Sequence, residues 1–138
     1  MHQTQWLFPV GSAGMFSCVP DLLKFVKMIL MDGKFEDKQI APAGILDIVS
    51  HNALADSVGA ETALGWELNA AKFMGTKVSP QAFGKTGFTG ASIVADPDKG
   101  GAIILLSNFT YPHREPNADR IHAFRATLAD AFFGAISE

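Results

Sequence analysis

The sequence is poor in the features that define several large classes of protein. Its single cysteine, Cys18, leaves no pair for an internal disulfide. Charged residues make up 18% of the 138 residues, below the ~25% of an ordinary soluble domain, and no apolar run approaches the ~18 residues of a membrane span. The net charge is −3 and the basic residues are scattered. We therefore expect no disulfide scaffold, no membrane span and no nucleic-acid partner.

Targeting signals and metal-ligand clusters are also missing. The amino terminus, Met1–Trp6, has no positive region followed by an apolar one, so no secretory signal is visible and the compartment stays open. The histidines are dispersed, without carboxylate or cysteine companions at metal-ligand spacing. We therefore expect neither a metal nor a cofactor.

What the chain does have is apolar bulk, with 48% hydrophobic residues and 11 Phe. A chain of this length can bury one core, so residues 1–138 are expected to form a single unit. The remaining apolar surface predicts an interface that awaits a partner, either a complementary N-terminal segment or a second copy of the chain.

Apolar periodicity predicts three helices. The first spans about Val19–Met31, and a weaker second helix follows Pro42 to about Ser50, with Ala41 at its cap. A last helix spans about Ala118–Phe133 and is expected to lie on a sheet through the stripe Ile121, Phe124, Leu128 and Phe132.

Strand patterns fill the region between these helices. They predict strands at Ala63–Leu68, within residues 83–90, at Ala91–Ala95 and at Ala102–Leu106, the last two joined as a hairpin by Asp96–Gly101. The predicted fold class is α+β, an antiparallel β-sheet covered by a C-terminal helix, with N-terminal helices.

The segment Phe83–Gly90, FGKTGFTG, is open to three interpretations. It carries the second half of a nucleotide-binding loop, but Ser79 stands where the first glycine belongs. It also fits a structural strand whose glycines allow close backbone packing and whose Lys85 is merely solvated. The third interpretation is the K-T-G wall of an acyl-transfer site, which Lys85-Thr86-Gly87 matches letter for letter.

Four pieces of the chain, in order, resemble the carboxy-terminal half of the serine β-lactamase, DD-peptidase and esterase family, particularly its class C-like branch. They are Gly11–Leu22, Phe83–Gly90, the turn Asp96-Pro97, and Leu105–Pro112. The resemblance implies part of a β-lactamase/transpeptidase-like fold. It also implies hydrolysis of an amide or ester, such as a β-lactam, a D-alanyl peptide or a small ester. Members of this family are often periplasmic or secreted.

The resemblance also implies roles for particular residues. Lys85 and Thr86 supply a cation and a hydroxyl to a substrate carboxylate or a developing charge, and the backbone N–H of Phe88 forms half of the oxyanion hole. Glycine at 84 and 87 is expected to leave bare backbone for a substrate docking as an added strand.

Asn117 and Arg120 match an N-x-x-R stretch that lies near the substrate carboxylate in class C-like members, after an insertion at residues 113–116. The alternative is structural. Asn117 is a natural N-cap for the last helix, and the adjacent Asp119 is a sufficient partner for Arg120.

The nucleophile of this family is missing from the sequence. No serine is followed by lysine three residues on, the single tyrosine begins no Y-x-N, and G-x-S-x-G is absent. We therefore expect a carboxy-terminal portion that is inactive alone, because acyl transfer needs the covalent step. The alternative is a non-catalytic module that keeps the fold and binds a partner along the same edge.

Overall fold

A computed structural model describes residues 15–52, 61–113 and 117–136 of the protein. Helix α1 (Val19–Leu30) precedes the short strands β1 (Lys34–Phe35) and β2 (Lys38–Gln39) and helix α2 (Ile45–Ser50). Then come strand β3 (Glu67–Leu68), helix α3 (Ala71–Met74), strands β4 (Phe83–Thr86), β5 (Ser92–Asp96) and β6 (Gly101–Leu105), and helix α4 (Asp119–Ala135). Residues 11–14, which begin the family-like piece Gly11–Leu22, and residues 114–116 of the insertion before Asn117 lie outside the described residues.

Strands β3 to β6 form an antiparallel sheet in chain order, with apolar helices on both faces. The pleat alternates side chains between the faces. One core contains residues from α1, α2 and the sheet: Val26, Ile29, Val49, Leu68, Phe83 and Ala95. The other joins α3 and α4 to the sheet through Phe73, Met74, Val94, Ala129 and Phe133. The predicted α+β class, with an antiparallel sheet covered by the C-terminal helix, is confirmed.

The first predicted strand is wrong over most of its length. Only Glu67 and Leu68 pair with β4, and the preceding residues form a turn in which Gly65 has φ +78°. The carbonyl of Trp66 accepts hydrogen bonds from the Ala63 N–H and from the Thr62 hydroxyl, both at 3.0 Å. Because a left-handed glycine reverses the chain, the alternating residues cannot extend as one strand.

The buried stripe of α4 differs from the predicted one. The buried residues are Ile121, Arg125, Ala129 and Phe133, whereas Phe124 is 54% exposed. An exact i, i+4 repeat places these four side chains on one face of the helix. The helix is therefore turned about its own axis by the equivalent of one residue from the position that apolar periodicity alone predicts. Arg125, and not Phe124, lies on its inner face.

The prediction of Ala41 as the cap of α2 is also wrong. The N-cap is Gly44 in a left-handed conformation, not Ala41. The carboxylate of Asp32, just after α1, accepts hydrogen bonds from the N–H groups of Gly44 and Leu46. A side chain from a neighbouring element therefore supplies the acceptor that the local sequence lacks.

The β5–β6 turn is organised by Asp96, whose side chain is fully buried. It accepts hydrogen bonds from the N–H and hydroxyl of Ser79, at 2.6 and 2.7 Å, and from the N–H groups of Asp98 and Lys99. One side chain thus joins the hairpin to the segment that leads into β4.

Replacing Asp96 by alanine is expected to lower the free energy of unfolding by about 3 kcal/mol, because four hydrogen bonds to a buried carboxylate are lost. The measurement is urea unfolding followed by circular dichroism. The control is Asp98→Ala, an exposed carboxylate in the same turn, with an expected change within about 0.5 kcal/mol. Equal stabilities for the two variants would contradict the assignment.

Candidate active site

The K-T-G motif lies at the end of an extended strand. Strand β4 pairs with β5 over its full length, Lys85 opposite Ile93 and Thr86 opposite Ser92. Strand β3 pairs only with Phe83 and Gly84. A turn, not a helix, follows the motif and leads into β5. The nucleotide-loop interpretation is therefore wrong, because such a loop must begin a helix whose amides hold phosphate.

The outer edge of β4 is open beyond β3. No strand in the described part of the chain pairs with this edge at Lys85 and Thr86. Hydrogen-bonding groups of successive strand residues point to alternate sides. The Gly87 N–H donates to the Ala91 carbonyl on the β5 side at 2.7 Å, so the main-chain groups of Thr86 face the open edge.

Lys85 shares a carboxylate with a second lysine. Its Nζ lies 2.8 Å from Glu67 Oε1, and Lys72 Nζ lies 3.0 Å from Glu67 Oε2. An ammonium has three donors, so this contact leaves two for a ligand, and the Lys85 side chain is 54% exposed. Partial burial raises the pKa of Glu67, but hydrogen bonds from Lys85 and Lys72 outweigh it and lower that pKa below its ordinary value.

The two glycines of the motif have different surroundings. Gly84 is buried, and a Cβ there would lie 2.7 Å from the Ile93 carbonyl oxygen and 3.0 Å from the side chains of Phe73 and Met74. The expectation that Gly84 leaves bare backbone for a substrate is therefore wrong. The missing side chain of Gly84 instead allows α3 to pack on the sheet. Gly87 is exposed, and a Cβ there would make only ordinary contact with Ala91, at 3.4 Å.

The turn after Gly87 is held by Arg125 of α4, for which motif analysis predicts no role. The guanidinium donates to three carbonyls, those of Gly87 (3.2 Å), Gly90 (3.2 Å) and Ala91 (2.9 Å). The side chain of Phe88 is 70% exposed on this turn. The sequence signal for Arg125 is its position, four residues after Ile121 and four before Ala129, which places it on the same face of the helix as those two apolar residues.

Several charged side chains lie near the turn. Lys72 and Lys85 form ion pairs with Glu67, and the charge of Glu67 also acts on Arg125 at longer range. Burial, followed by the charges of Arg125 and Lys72, lowers the pKa of His122. The neutral imidazole, protonated at Nε2, can accept the 3.3 Å hydrogen bond from Arg125 at Nδ1.

A groove beside this turn contains Arg120 but not Asn117. The Phe109 N–H donates to the Thr89 carbonyl at 2.7 Å and ties the loop after β6 to the turn. Between that loop and the start of α4 lies a cavity of about 490 Å³, lined by Phe109, Tyr111, Pro112, His113, Arg120, Ile121 and Phe124.

Asn117 serves the start of α4 instead. Its Oδ1 accepts a 3.3 Å hydrogen bond from the Asp119 N–H, and the N-cap is Ala118. The prediction that Asn117 is the N-cap of α4 is therefore wrong, although its side chain accepts a hydrogen bond from the first residue of the helix. Its assignment to the substrate carboxylate stays a prediction, as does that of Arg120.

None of the helices in residues 15–52, 61–113 and 117–136 has the length and apolar content to cross a membrane. The described side chains include no group of three or more His, Cys, Asp or Glu residues arranged to hold a metal ion.

K-T-G is one of the motifs of serine β-lactamases and penicillin-binding proteins, and here it lies at the end of β4 in an antiparallel sheet covered by α4. The family model described as Beta-lactamase matches residues 2–128. The chain belongs to that family, and the resemblance predicted from the sequence is confirmed.

Individual relatives agree with this assignment. The chain is 34% identical over 116 residues to a protein of Escherichia coli O157:H7 provisionally named a D-alanyl-D-alanine carboxypeptidase, covering 78% of this chain and 26% of the relative. It is 29% identical over 116 residues, with the same coverages, to the N-acetylmuramyl-L-alanine amidase of Bacillus subtilis strain 168. The chain thus spans about a quarter of the length of these curated relatives, and it is part of a hydrolase family.

The two glycines provide a matched pair of substitutions. Gly84→Ala is expected to lower the free energy of unfolding by about 1–3 kcal/mol, because the added methyl meets main-chain atoms of β5. Gly87→Ala is expected to change it by less than about 1 kcal/mol. Thermal unfolding measures both, and a more damaging Gly87→Ala would contradict the described packing.

The pH dependence of stability tests the lysine pair on Glu67. A depressed folded-state pKa contributes stability above the unfolded-state value, 4.5, and this contribution is lost as pH falls through the folded-state pKa. The stability difference between wild type and Glu67→Gln should therefore be greatest near neutral pH and shrink in acid. Urea unfolding from pH 7 to pH 3 measures it, with exposed Glu61→Gln as the control. A pH-independent difference would contradict the ion pairs.

Proposed function

We propose that this chain is the carboxy-terminal part of a serine hydrolase that cleaves an amide or ester through an acyl-enzyme. The observation that supports it is the outer edge of β4, where no strand of the described residues pairs with Lys85 and Thr86 and where Lys85 and Lys72 share the single carboxylate of Glu67. A substrate segment can add to such an edge by main-chain hydrogen bonds. The cations that Glu67 leaves unneutralised attract the carboxylate of that substrate.

Each motif residue then has a distinct task. Lys85 and Thr86 bind the carboxylate or the charge that develops during reaction, Gly87 leaves room for the substrate backbone, and the Phe88 N–H donates to the oxyanion. A Phe side chain at 88 is compatible with this task because only its main chain is used. Arg120 binds an anionic group in the groove that adjoins the turn.

The covalent step requires a serine that we assign to a segment outside this sequence. Its Oγ attacks the carbonyl carbon and loses its proton to a base, and the leaving amine or alcohol departs with a proton. Water then hydrolyses the ester of the acyl-enzyme and regenerates the serine. Without that serine the chain retains only binding and charge stabilisation, so we expect it to be nearly inactive alone.

The relatives suggest the substrate class. One of them is provisionally named a D-alanyl-D-alanine carboxypeptidase, and another is named an N-acetylmuramyl-L-alanine amidase. We therefore place a D-alanyl peptide or related amide first among the substrates, before a β-lactam and a small ester.

The surface of α1 supports a covering partner. Several of its large apolar side chains are exposed, as are those of the residues just before and after it: Met15, Phe16, Leu23, Phe25 and Met31. Several large apolar side chains left in solvent on one short segment favour an interface there. We assign it to the complementary N-terminal segment, with a second copy of the chain as the alternative.

A non-catalytic module is the second candidate, because the open edge of β4 can bind a peptide strand without any reaction. The assay compares the chain alone with the chain joined to the upstream segment of its own protein. Substrates are a D-alanyl-D-alanine peptide, a chromogenic cephalosporin and a p-nitrophenyl ester. We expect turnover only in the joined form, together with a stoichiometric adduct from a serine-directed acylating probe, measured by mass. An adduct on the chain alone would overturn the proposal, and peptide binding without turnover by the joined form would favour the module.

Replacing Lys85 by alanine in the joined form is expected to lower kcat/KM by roughly 100-fold, through loss of a charge-assisted contact to the substrate. Circular dichroism should show an unchanged fold, since the Lys85 side chain is more exposed than buried. The control is exposed Lys77→Ala, which removes the same charge away from the motif. If Lys85→Ala fails to fold, the lysine is structural instead.

A further inference from the structure

Arg125 is a buried cation whose hydrogen-bond partners are main-chain carbonyls. Arg125 is only 4% exposed. Nε donates to the Gly90 carbonyl, Nη2 donates to those of Gly87 and Ala91, and Nη1 contacts His122 Nδ1. Burial lowers the pKa of Arg125, and the charge of Glu67 acts in the opposite direction. No carboxylate is among the hydrogen-bond partners that the described residues offer it.

Such an arrangement is a costly way to attach a helix to a sheet. Burying a guanidinium requires substantial desolvation, and an apolar side chain between Ile121 and Ala129 would continue the buried stripe at lower cost. The arginine is therefore informative about the turn that it holds. That turn contains Gly87 and Gly90, whose backbones are intrinsically free to adopt other conformations.

The hydrogen bonds of Gly87 determine the direction of the next amide. Its N–H donates to Ala91, and its carbonyl accepts from Arg125 at 3.2 Å and from the Gly90 N–H at 3.1 Å. Both main-chain groups of Gly87 thus face the interior of the turn. In a trans peptide unit the carbonyl and the following N–H point in opposite directions. The N–H of Phe88 is thereby directed to the outer side, where β4 has its open edge.

We propose that Arg125 is the positioning residue of the oxyanion hole, acting through the Gly87–Phe88 peptide unit. It fixes the carbonyl end of that unit and so aims the Phe88 N–H. A cation on the carbonyl oxygen also polarises the peptide, which makes its N–H a stronger donor. The catalytic part of this inference rests on the proposed function, whereas the positioning part concerns this chain alone.

The structural arm measures backbone amides of the chain by NMR in Arg125→Met and Arg125→Lys. The control is Asp130→Asn, since Asp130 lies on the same helix and accepts N–H bonds from Thr76 and Lys77, in a different turn. In Arg125→Met we expect a shifted Phe88 amide resonance and roughly tenfold faster hydrogen exchange at Gly90, the scale of one hydrogen bond to a charged group.

Arg125→Lys keeps the charge but cannot reach three carbonyls, so its effect on the amides should be intermediate. This variant decides the test if Arg125→Met does not fold. Asp130→Asn should alter the amides of Thr76 and Lys77 while leaving Phe88 and Gly90 unchanged. Unchanged Phe88 and Gly90 amides in a folded Arg125 variant would overturn the proposal, as would equal changes in the control.

The catalytic arm uses the chain joined to its nucleophile-bearing segment. Arg125→Met should lower kcat by roughly 10- to 100-fold, less than the ~10²–10³-fold loss on removing an oxyanion donor, with KM changed less than about twofold. An unchanged kcat despite altered amides would overturn the catalytic role. If the wild-type joined form turns over no substrate, the proposed function fails, while the NMR arm still decides whether Arg125 positions Phe88.

Discussion

Burial of β5 on both faces is the constraint on which the remaining structure depends. Val94 packs towards α3 and α4, Ala95 packs towards α1, and Asp96 is buried at the end of the strand. A strand in this position must satisfy its main chain through both neighbours, which here are β4 and β6. The K-T-G strand is therefore held along its inner side by a rigid partner. Its outer side, beyond the short β3, is paired with no strand of residues 15–52, 61–113 and 117–136.

Local sequence patterns predicted the elements that depend on neighbours in the chain. Helix α1 and the β5–β6 hairpin lie within a residue or two of their predicted bounds, because apolar periodicity and a Pro-Gly turn are short-range signals. The strand at the motif was predicted for the same reason.

The errors arise where contacts over long sequence separations decide the outcome. Asp32 caps a helix that begins more than ten residues later, and Gly84 is required by the approach of α3 rather than by a substrate. Arg125 reaches a turn more than thirty residues earlier and takes a buried position that a periodicity analysis gives to Phe124. No local propensity contains such information. The family motif, by contrast, was recognisable because the chemistry requires particular residue types at fixed spacing.

The open edge of β4 has a consequence for the behaviour of the protein in concentrated solution. An unpaired strand edge is a template for another chain of the same sequence, and natural proteins often discourage such pairing with a lysine. Lys85 lies at that edge with half of its side chain in solvent. Two copies that met edge to edge there would bring their ammonium groups together. A lysine at that edge therefore disfavours edge-to-edge pairing of two copies.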